Sequence, residues 1–458
     1  MVPEPARRPC QRVGLALAVV ALFAGCTEQP RDIEVVAPMN ATEDSASTST
    51  VSTVRPARVS TRLADTEFGR RIAVAVRSSP ALLSASAAMR EAEAGVQAES
   101  GAFMPEVSLG AEATSALNGS SRTTPLVEVT QLIYDGGASR SRTAAAQARV
   151  VQSRSDRISE LSTAAYEAVR AHQDLYSARQ RLRLAERNRG AHARILSQIE
   201  ERVTAGAGAS ADLETARSRL ASARSREVEA RVQRDRAISA YRQVFNTMPP
   251  ATISGTPKAP PLPGDGDLQI THNSPRLRSL SASLKAAEGD LAAARAARRP
   301  MVSFGVTGQR DLEKSGVDVG VNLGLDYDLG LQGRQKAAIR RAEARMQQLE
   351  AEREALRRDI VRSLADVRAD QRAGSARIAA ARDAVNANEA AVAAALDRFS
   401  IGRQNLLGLL DAQRDLYNAG EALITAEREL ALTGYAALSL TGDILDAFDI
   451  VADLDRGI

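Results

Sequence analysis

The chain is written twice. "SPALLSASAAMREAEAGVQAESGAFMPEVSLG" starts at Ser79 and "SPRLRSLSASLKAAEGDLAAARAARRPMVSFG" at Ser274. Pro80 and Pro105 match Pro275 and Pro300 at an offset of 195, and Glu93, Val107 and Gly110 match Glu288, Val302 and Gly305 at that same offset. Further on, "IYDGG" around Asp135 answers "DYDLG" around Asp328, and "RVTAGAGASADLETA" from Arg202 answers "RFSIGRQNLLGLLDA" from Arg398. The order of these marks never changes and their spacing drifts only slightly. Whatever supersecondary unit one half forms, the other half forms again.

Each copy holds two stretches with the period of a strand. The clearest is "VDVGVNLGLDYDLG" (317–330), where Val317, Val319, Val321, Leu323, Leu325 and Tyr327 alternate with Asp318, Gly320, Asn322, Gly324, Asp326 and Asp328. Alternation puts the apolar side chains on one face and the carboxylates, amide and glycines on the other. About twelve residues at ~3.3 Å each, tilted ~45°, cover the ~25 Å apolar band of an outer-membrane barrel. Such a strand has lipid on one side and water on the other, with Val319, Val321 and Leu323 toward lipid and Asp318, Asn322 and Asp326 toward a lumen. Less regular strands are expected at 106–116, 125–134 and 301–310, with this one ending near 328. The helix before each strand pair is expected to stop at Pro105 or Pro300, where proline bars continuation.

After each strand pair comes a glycine-containing turn, "YDGG" or "YDLGLQG", and then a helical pattern without proline over 137–203 and 334–401. At ~1.5 Å per residue each rod is about 100 Å long, a length for a coiled coil or a tube. Leu161, Ala168, Leu175 and Leu182 recur every seven residues, with Ala164, Ala171, Ala178 and Ala185 three places later. Leu213, Ala216, Leu220 and Ala223 continue the pattern, and the second copy has Leu409, Ala412, Leu416, Ala419, Leu423, Ala426 and Leu430. These are seams with Leu at one position and Ala at the other, and Ala allows close helix approach. "TAGAGAS" (204–210) and "SIGRQN" (400–405) interrupt the pattern, each as the tip of a helical hairpin. The tips share Arg followed four places on by Gly: Arg202 with Gly206, and Arg398 with Gly402. Composition agrees, since a chain with 3% aromatics and no Trp suits long helices better than an aromatic core.

The basic residues number 60 and the acidic ones 56, for a net charge of +4. They are interspersed as on solvated helix faces, which argues against a nucleic-acid surface. The histidines are His172, His192 and His272, with no cysteine near, so seam or solvated positions explain them better than a metal. "GDGD" at 264–267 lacks the ligand series of a calcium loop, and "AGAG" is not followed by Lys-Ser/Thr. No nucleophile–base pair stands out. The expectation is a chain that is not an enzyme and carries no cofactor.

At the N-terminus Arg7, Arg8 and Arg12 precede "VGLALAVVALFAG", which ends at Cys26. This reads as a secretory signal, and "LFAGC" resembles a lipoprotein cleavage site with Cys26 as the lipidated residue. Removal of the signal takes Cys10 away, leaving no partner for a disulfide. The expected divisions are a signal over 1–25, a disordered spacer over 26–65, one repeat over 66–255, and a Pro-rich linker over 256–273. A second repeat over 274–447 and a tail over 448–458 complete the chain.

The duplicated "SPALL…AAMREAEAGV…FMPEVSL", "LIYDGG", "RVTAGAGASADLETARSRL" and "FSIGRQNLLGLLDAQRDLYNA" resemble the TolC-like outer-membrane efflux proteins of Gram-negative bacteria. The resemblance spans about 66–447. It implies an α+β membrane protein, a homotrimer whose four strands per chain close a twelve-stranded barrel above a periplasmic helical tube. It implies a passive exit duct fed by an inner-membrane ABC or proton-driven exporter through a periplasmic adaptor, for type I protein secretion or for drug efflux. The tip residues Arg202, Gly206, Arg398 and Gly402 would meet the adaptor. The family's acidic rings fall here on Gly408 and Asp411, so only Asp411 keeps the charge. Its latch implies Asp212 meeting a basic residue near "GRQN"; Gln404 holds the usual arginine position, with Arg403 beside it. A periplasmic adaptor, or a structural coiled-coil lipoprotein of the envelope, is the alternative reading.

Overall fold

The computed structural model describes residues 59–115, 121–262, 273–310, 316–329 and 332–450. Helix α1 spans Glu67–Arg77, α2 Pro80–Ser100, α3 Ala138–Thr204, α4 Ser210–Phe245, α5 Pro275–Ala296, α6 Arg334–Ser400, α7 Leu406–Thr441 and α8 Ile444–Ala447. The strands are β1 Glu106–Ser115, β2 Ser121–Tyr134, β3 Met301–Gln309 and β4 Asp318–Asp326. Cys26 lies outside the described residues.

The two rods, α3 and α6, are each 67 residues long, and their partners α4 and α7 are each 36. No proline interrupts them, and the tips turn through Gly206 at φ +74° and Gly402 at φ +75°. That left-handed conformation suits glycine, which has no Cβ to clash. Helix α3 is the central element, packing on α2, α4, α5 and α7, whereas α6 packs on α5 and α7. The order across the hairpins is therefore α4, α3, α7, α6, with α4 and α6 as free edges. Burial follows that order: Leu161, Ala168, Leu175, Leu182 and Ala185 of α3 are buried, while α6 buries few side chains over its whole length. Ala164 is half-exposed, and Ala165 beside it takes the fully buried position. Leu220 and Ala223 of α4 and Leu409 and Ala426 of α7 are buried as the heptads require. Glycine stands at helix–helix contacts where a side chain would not fit without a shift. A Cβ on Gly289 would meet Ala145, and one on Gly420 would meet Leu184 at 2.9 Å.

A core at mid-length joins the two repeats. Ile72 and Val76 of α1, Leu161 and Leu175 of α3, Tyr241 of α4, Tyr435 and Leu438 of α7, and Phe448 are all buried there. This corrects two boundaries. The spacer does not reach residue 65, because Val59 and Leu63 are buried in this core. The tail does not begin at 448, because Phe448 and Ile450 are buried in it too. Part of the linker also packs: Ala259 and Leu262 lie against the core, and Pro257 accepts a 3.0 Å bond from the Tyr435 hydroxyl. Helix α1, capped by the Thr66 hydroxyl on Gly69 N–H, is an element the sequence expectation lacked.

The helices before the strands end at Ser100 and Ala296, short of Pro105 and Pro300. A residue preceding proline is itself pushed toward extended backbone, and in the first copy a 3-10 turn at Gly101–Phe103 finishes the exit. Strand β4 is also shorter than expected, nine residues ending at Asp326, with Tyr327 and Asp328 outside it. Nine residues still fall within the ~9–11 that a tilted strand needs to cross a membrane.

Candidate functional site

The sheet runs β1-β2-β3-β4, antiparallel throughout. Its register builds two different faces. Val107, Val129, Val306 and Val321 stand in one cross-strand row, and Leu109, Val127 and Val319 lie in the row that also holds Gly308. On the opposite face Glu106, Thr130, Gly305 and Asn322 make one row, and Ser108, Glu128, Thr307 and Gly320 the next. The Asn322 amide lies over Gly305, where a Cβ would stand. Asp318 and Asp326 share the Asn322 face and pair with Gln309 and Met301 at the two ends of β4. Leu109 is 80% exposed and Leu323 74%, so nothing among the described residues covers the apolar face. The edges of β1 and β4 likewise pair with no strand among the described residues.

Below the sheet, "YDGG" joins strand to rod. Gly136 and Gly137 have positive φ, and the Asp135 carboxylate accepts from Gly137 N–H at 3.0 Å and Ser139 N–H at 2.6 Å. Burial works to raise the Asp135 pKa, but its hydrogen bonds with Ser139 and Gly137 and the charge of Arg142 together hold it below the ordinary value. Arg299 donates to Gly136 O at 2.8 Å and so ties the second repeat to the first at this joint.

At the other end lie the two tips. Arg202 reaches across to the second one, where its Nη2 donates to Phe399 O at 2.8 Å and Ser400 O at 2.9 Å. Its guanidinium carbon also stands 4.4 Å from the Phe399 ring centre. Those carbonyls end α6, where helix acceptors lack intrahelical partners. The Arg202 side chain is therefore engaged inside the protomer, joining the two tips. Arg398 is exposed and makes no side-chain hydrogen bond or ion pair among the described residues. A Cβ on Gly206 or Gly402 would meet nothing within 4 Å.

Asp411 does not stand alone. Arg414, one turn along α7, pairs with it at 3.0 Å and with Asp415 at 3.3 Å. Gly408, the position without a charge, is overlain by its neighbours: a Cβ there would meet Gln404 Nε2 at 2.9 Å and Asn405 Oδ1 at 3.1 Å. Asn405 caps α7 by accepting from Gly408 N–H at 3.0 Å. Within the protomer no hydrogen bond or ion pair joins Asp212 to Arg403 or Gln404, and Asp212 sits exposed in the first turn of α4.

His172 and His192 are both buried on α3. His172 Nε2 lies 3.0 Å from Ser254 O, and its ring meets Phe68 edge-on at 4.8 Å. Burial depresses its pKa to about 4, so it is neutral at physiological pH. Among the described residues no group of His, Cys, Asp and Glu has the geometry to hold a metal.

Tandem helical hairpins joined to a small two-faced antiparallel sheet define the class of TolC-like channels. The outer membrane efflux protein family model matches residues 72–247 and 269–441, and the chain belongs to that family. It is 24% identical over 324 residues to the outer membrane efflux protein BepC of Brucella suis biovar 1 (strain 1330), covering 69% of this chain and 71% of BepC. Its fold matches the CmeC outer membrane channel of Campylobacter jejuni with a TM-score of 0.74 at 13% identity, covering 92% of this chain and 98% of CmeC. It matches VceC of Vibrio cholerae with a TM-score of 0.73 at 18% identity, covering 84% and 98% of the two chains. The open state of MtrE from Neisseria gonorrhoeae gives 0.72 at 19% identity, covering 90% and 97%. Family membership answers the alternative of an adaptor or structural lipoprotein: these proteins are outer-membrane efflux channels, passive ducts rather than enzymes.

Proposed function

We propose that three copies of this chain close a twelve-stranded barrel and a periplasmic helical tube, forming the exit duct of a tripartite export system. An inner-membrane ABC or proton-driven exporter supplies the driving force, and a periplasmic adaptor docks at the tips. The reading rests on the sheet. Among the described residues it leaves both outer strands unpaired on their outer sides and an apolar row from Val107 to Val321 uncovered. Unpaired strand edges are untenable in lipid, so such a sheet needs closure by further strands. Copies of itself supply them, which puts the valine row against lipid and the Asn322 face around water. Cys26 acylation would anchor the same particle to the outer membrane.

Light scattering of the detergent-purified protein should give the mass of a trimer, and reconstitution into planar bilayers should give discrete conductance steps. A monomer without conductance would overturn the reading. Type I protein secretion and drug efflux are then separated by removing the protein from its host. Loss of a protein from the culture medium marks the first, and raised drug susceptibility with an unchanged secretome marks the second.

A further inference from the structure

We propose that Arg398 of one copy caps the end of α3 in the next copy, at the carbonyls of Val203 and Thr204. The joint rests on the trimeric reading above and adds to it a specific contact between copies. Its template is inside the protomer, where Arg202 donates to Phe399 O and Ser400 O at the end of α6. Arg398 occupies in the second repeat the place of Arg202 in the first, an offset of 196 that also relates Gly206 to Gly402. By the same offset Val203 corresponds to Phe399 and Thr204 to Ser400.

The tips are bonded alike. Gly206 N–H donates to Val203 O at 3.0 Å and Ala207 N–H to Arg202 O at 2.8 Å; Gly402 N–H donates to Phe399 O at 3.1 Å and Arg403 N–H to Arg398 O at 2.8 Å. Both rod ends therefore present the same pair of carbonyls, at the partially negative end of a helix. In the protomer only one pair is used. Among the described residues no side chain donates to Val203 O or Thr204 O, and the Arg398 side chain makes no hydrogen bond or ion pair.

Packing order says where that partner comes from. Within the protomer, α3 of the first hairpin packs on α7 of the second, and Arg202 crosses that joint. The free edges are α6, which carries Arg398, and α4, which returns from the Val203–Thr204 end. Closing copies into a ring sets α6 of one against α4 of the next, the same juxtaposition of first helix and returning helix. Arg398 then stands toward α3 of the next copy as Arg202 stands toward α6. One difference follows from sequence: Val203 replaces Phe399, so the joint between copies lacks the guanidinium–ring contact. It is the weaker of the two, and the tip parts first between copies.

The test uses full-length protein in a Cys26→Ser background and a short bis-maleimide. With Arg398→Cys plus Thr204→Cys, denaturing gels should show covalent dimers and trimers. With Arg202→Cys plus Ser400→Cys, the thiols should be consumed with the band staying at monomer mass. Trimers by light scattering combined with only monomer bands from the first pair would overturn the joint and leave the trimer standing. Monomers by light scattering would overturn both. Independently, Arg398→Ala should lower the temperature at which the trimer dissociates and Val203→Phe should raise it; an unchanged temperature in both would overturn the capping role.

Discussion

Asp411 and Arg414 lie one turn apart on α7, the carboxylate 3.0 Å from the guanidinium. Both are exposed, so the pair itself adds little stability. Its consequence is electrostatic. If threefold symmetry brings the Asp411 side chains around a closed tip, each brings Arg414 and Asp415 with it, and the Arg414 charge, shared between the two carboxylates, offsets part of their repulsion. Asp411→Asn should lower cation selectivity and weaken block by multivalent cations in planar bilayers. Arg414→Ala should do the reverse. Reversal potentials in a salt gradient measure both, and unchanged values in the two variants would place the constriction elsewhere.

The sheet makes a parity prediction. Val321 belongs to the apolar row and Asn322 to the polar one. Arginine at Val321 should cost ~2–4 kcal/mol per chain near mid-membrane, and arginine at Asn322 much less. Folding yields into lipid vesicles measure the difference. Equal losses at the two positions would reverse or abolish the assignment of faces.

What could be read from the chain follows from how local each determinant is. The rods were legible to within a residue or so, expected over 137–203 and 334–401 and found over Ala138–Thr204 and Arg334–Ser400. Heptads accumulate over many turns, and a glycine with positive φ ends each run. Helix α1 had a signal too: the Thr66 cap and the spacing of Phe68, Ile72 and Val76. That segment falls at the start of the expected first repeat, from residue 66, with no helix of its own assigned to it. Arg414 was visible three places from Asp411, a spacing at which opposite charges meet on a helix. The use of Arg202 was not legible, because its acceptors are backbone carbonyls 197 and 198 positions away. Which helices form the edges is likewise a property of packing rather than of any one heptad.

Cys26 lies beyond the described residues, and its acylation rests on the arginine-flanked apolar run ending in "FAGC". Metabolic labelling with a radioactive fatty acid should mark the wild type and not Cys26→Ser. The barrel supplies its own insertion energy, so Cys26→Ser should keep measurable export. Equal labelling of both proteins would remove the anchor from the scheme.

The tip glycines need two substitutions to separate shape from docking. Gly206 and Gly402 have positive φ, yet a Cβ on either would meet open space. Asparagine tolerates that conformation better than most residues, so Gly206→Asn with Gly402→Asn should keep both trimer and export. Tryptophan at both positions adds bulk where an adaptor would approach and should block export at unchanged trimer levels. Normal export by the tryptophan pair would show that no partner approaches these tips closely.

His172 sets an acid limit on the mid-length core. Its ordinary pKa of 6.5 is depressed by burial to about 4 in the folded chain, with Arg71 nearby adding to the effect and the bond to Ser254 O opposing it. The unfolded chain therefore binds a proton between those values and the folded one does not. Stability from this group is complete above the unfolded value and falls with pH below it, by about 2 kcal/mol per chain between pH 7 and pH 5. His172→Gln keeps an N–H donor for Ser254 O but has nothing to titrate. Denaturant melts of the helical signal should show a smaller drop between those two pH values in the variant. An equal drop in both proteins would mean that the ring reaches water or a compensating acid when protonated, and that the acid sensitivity of the fold has another source.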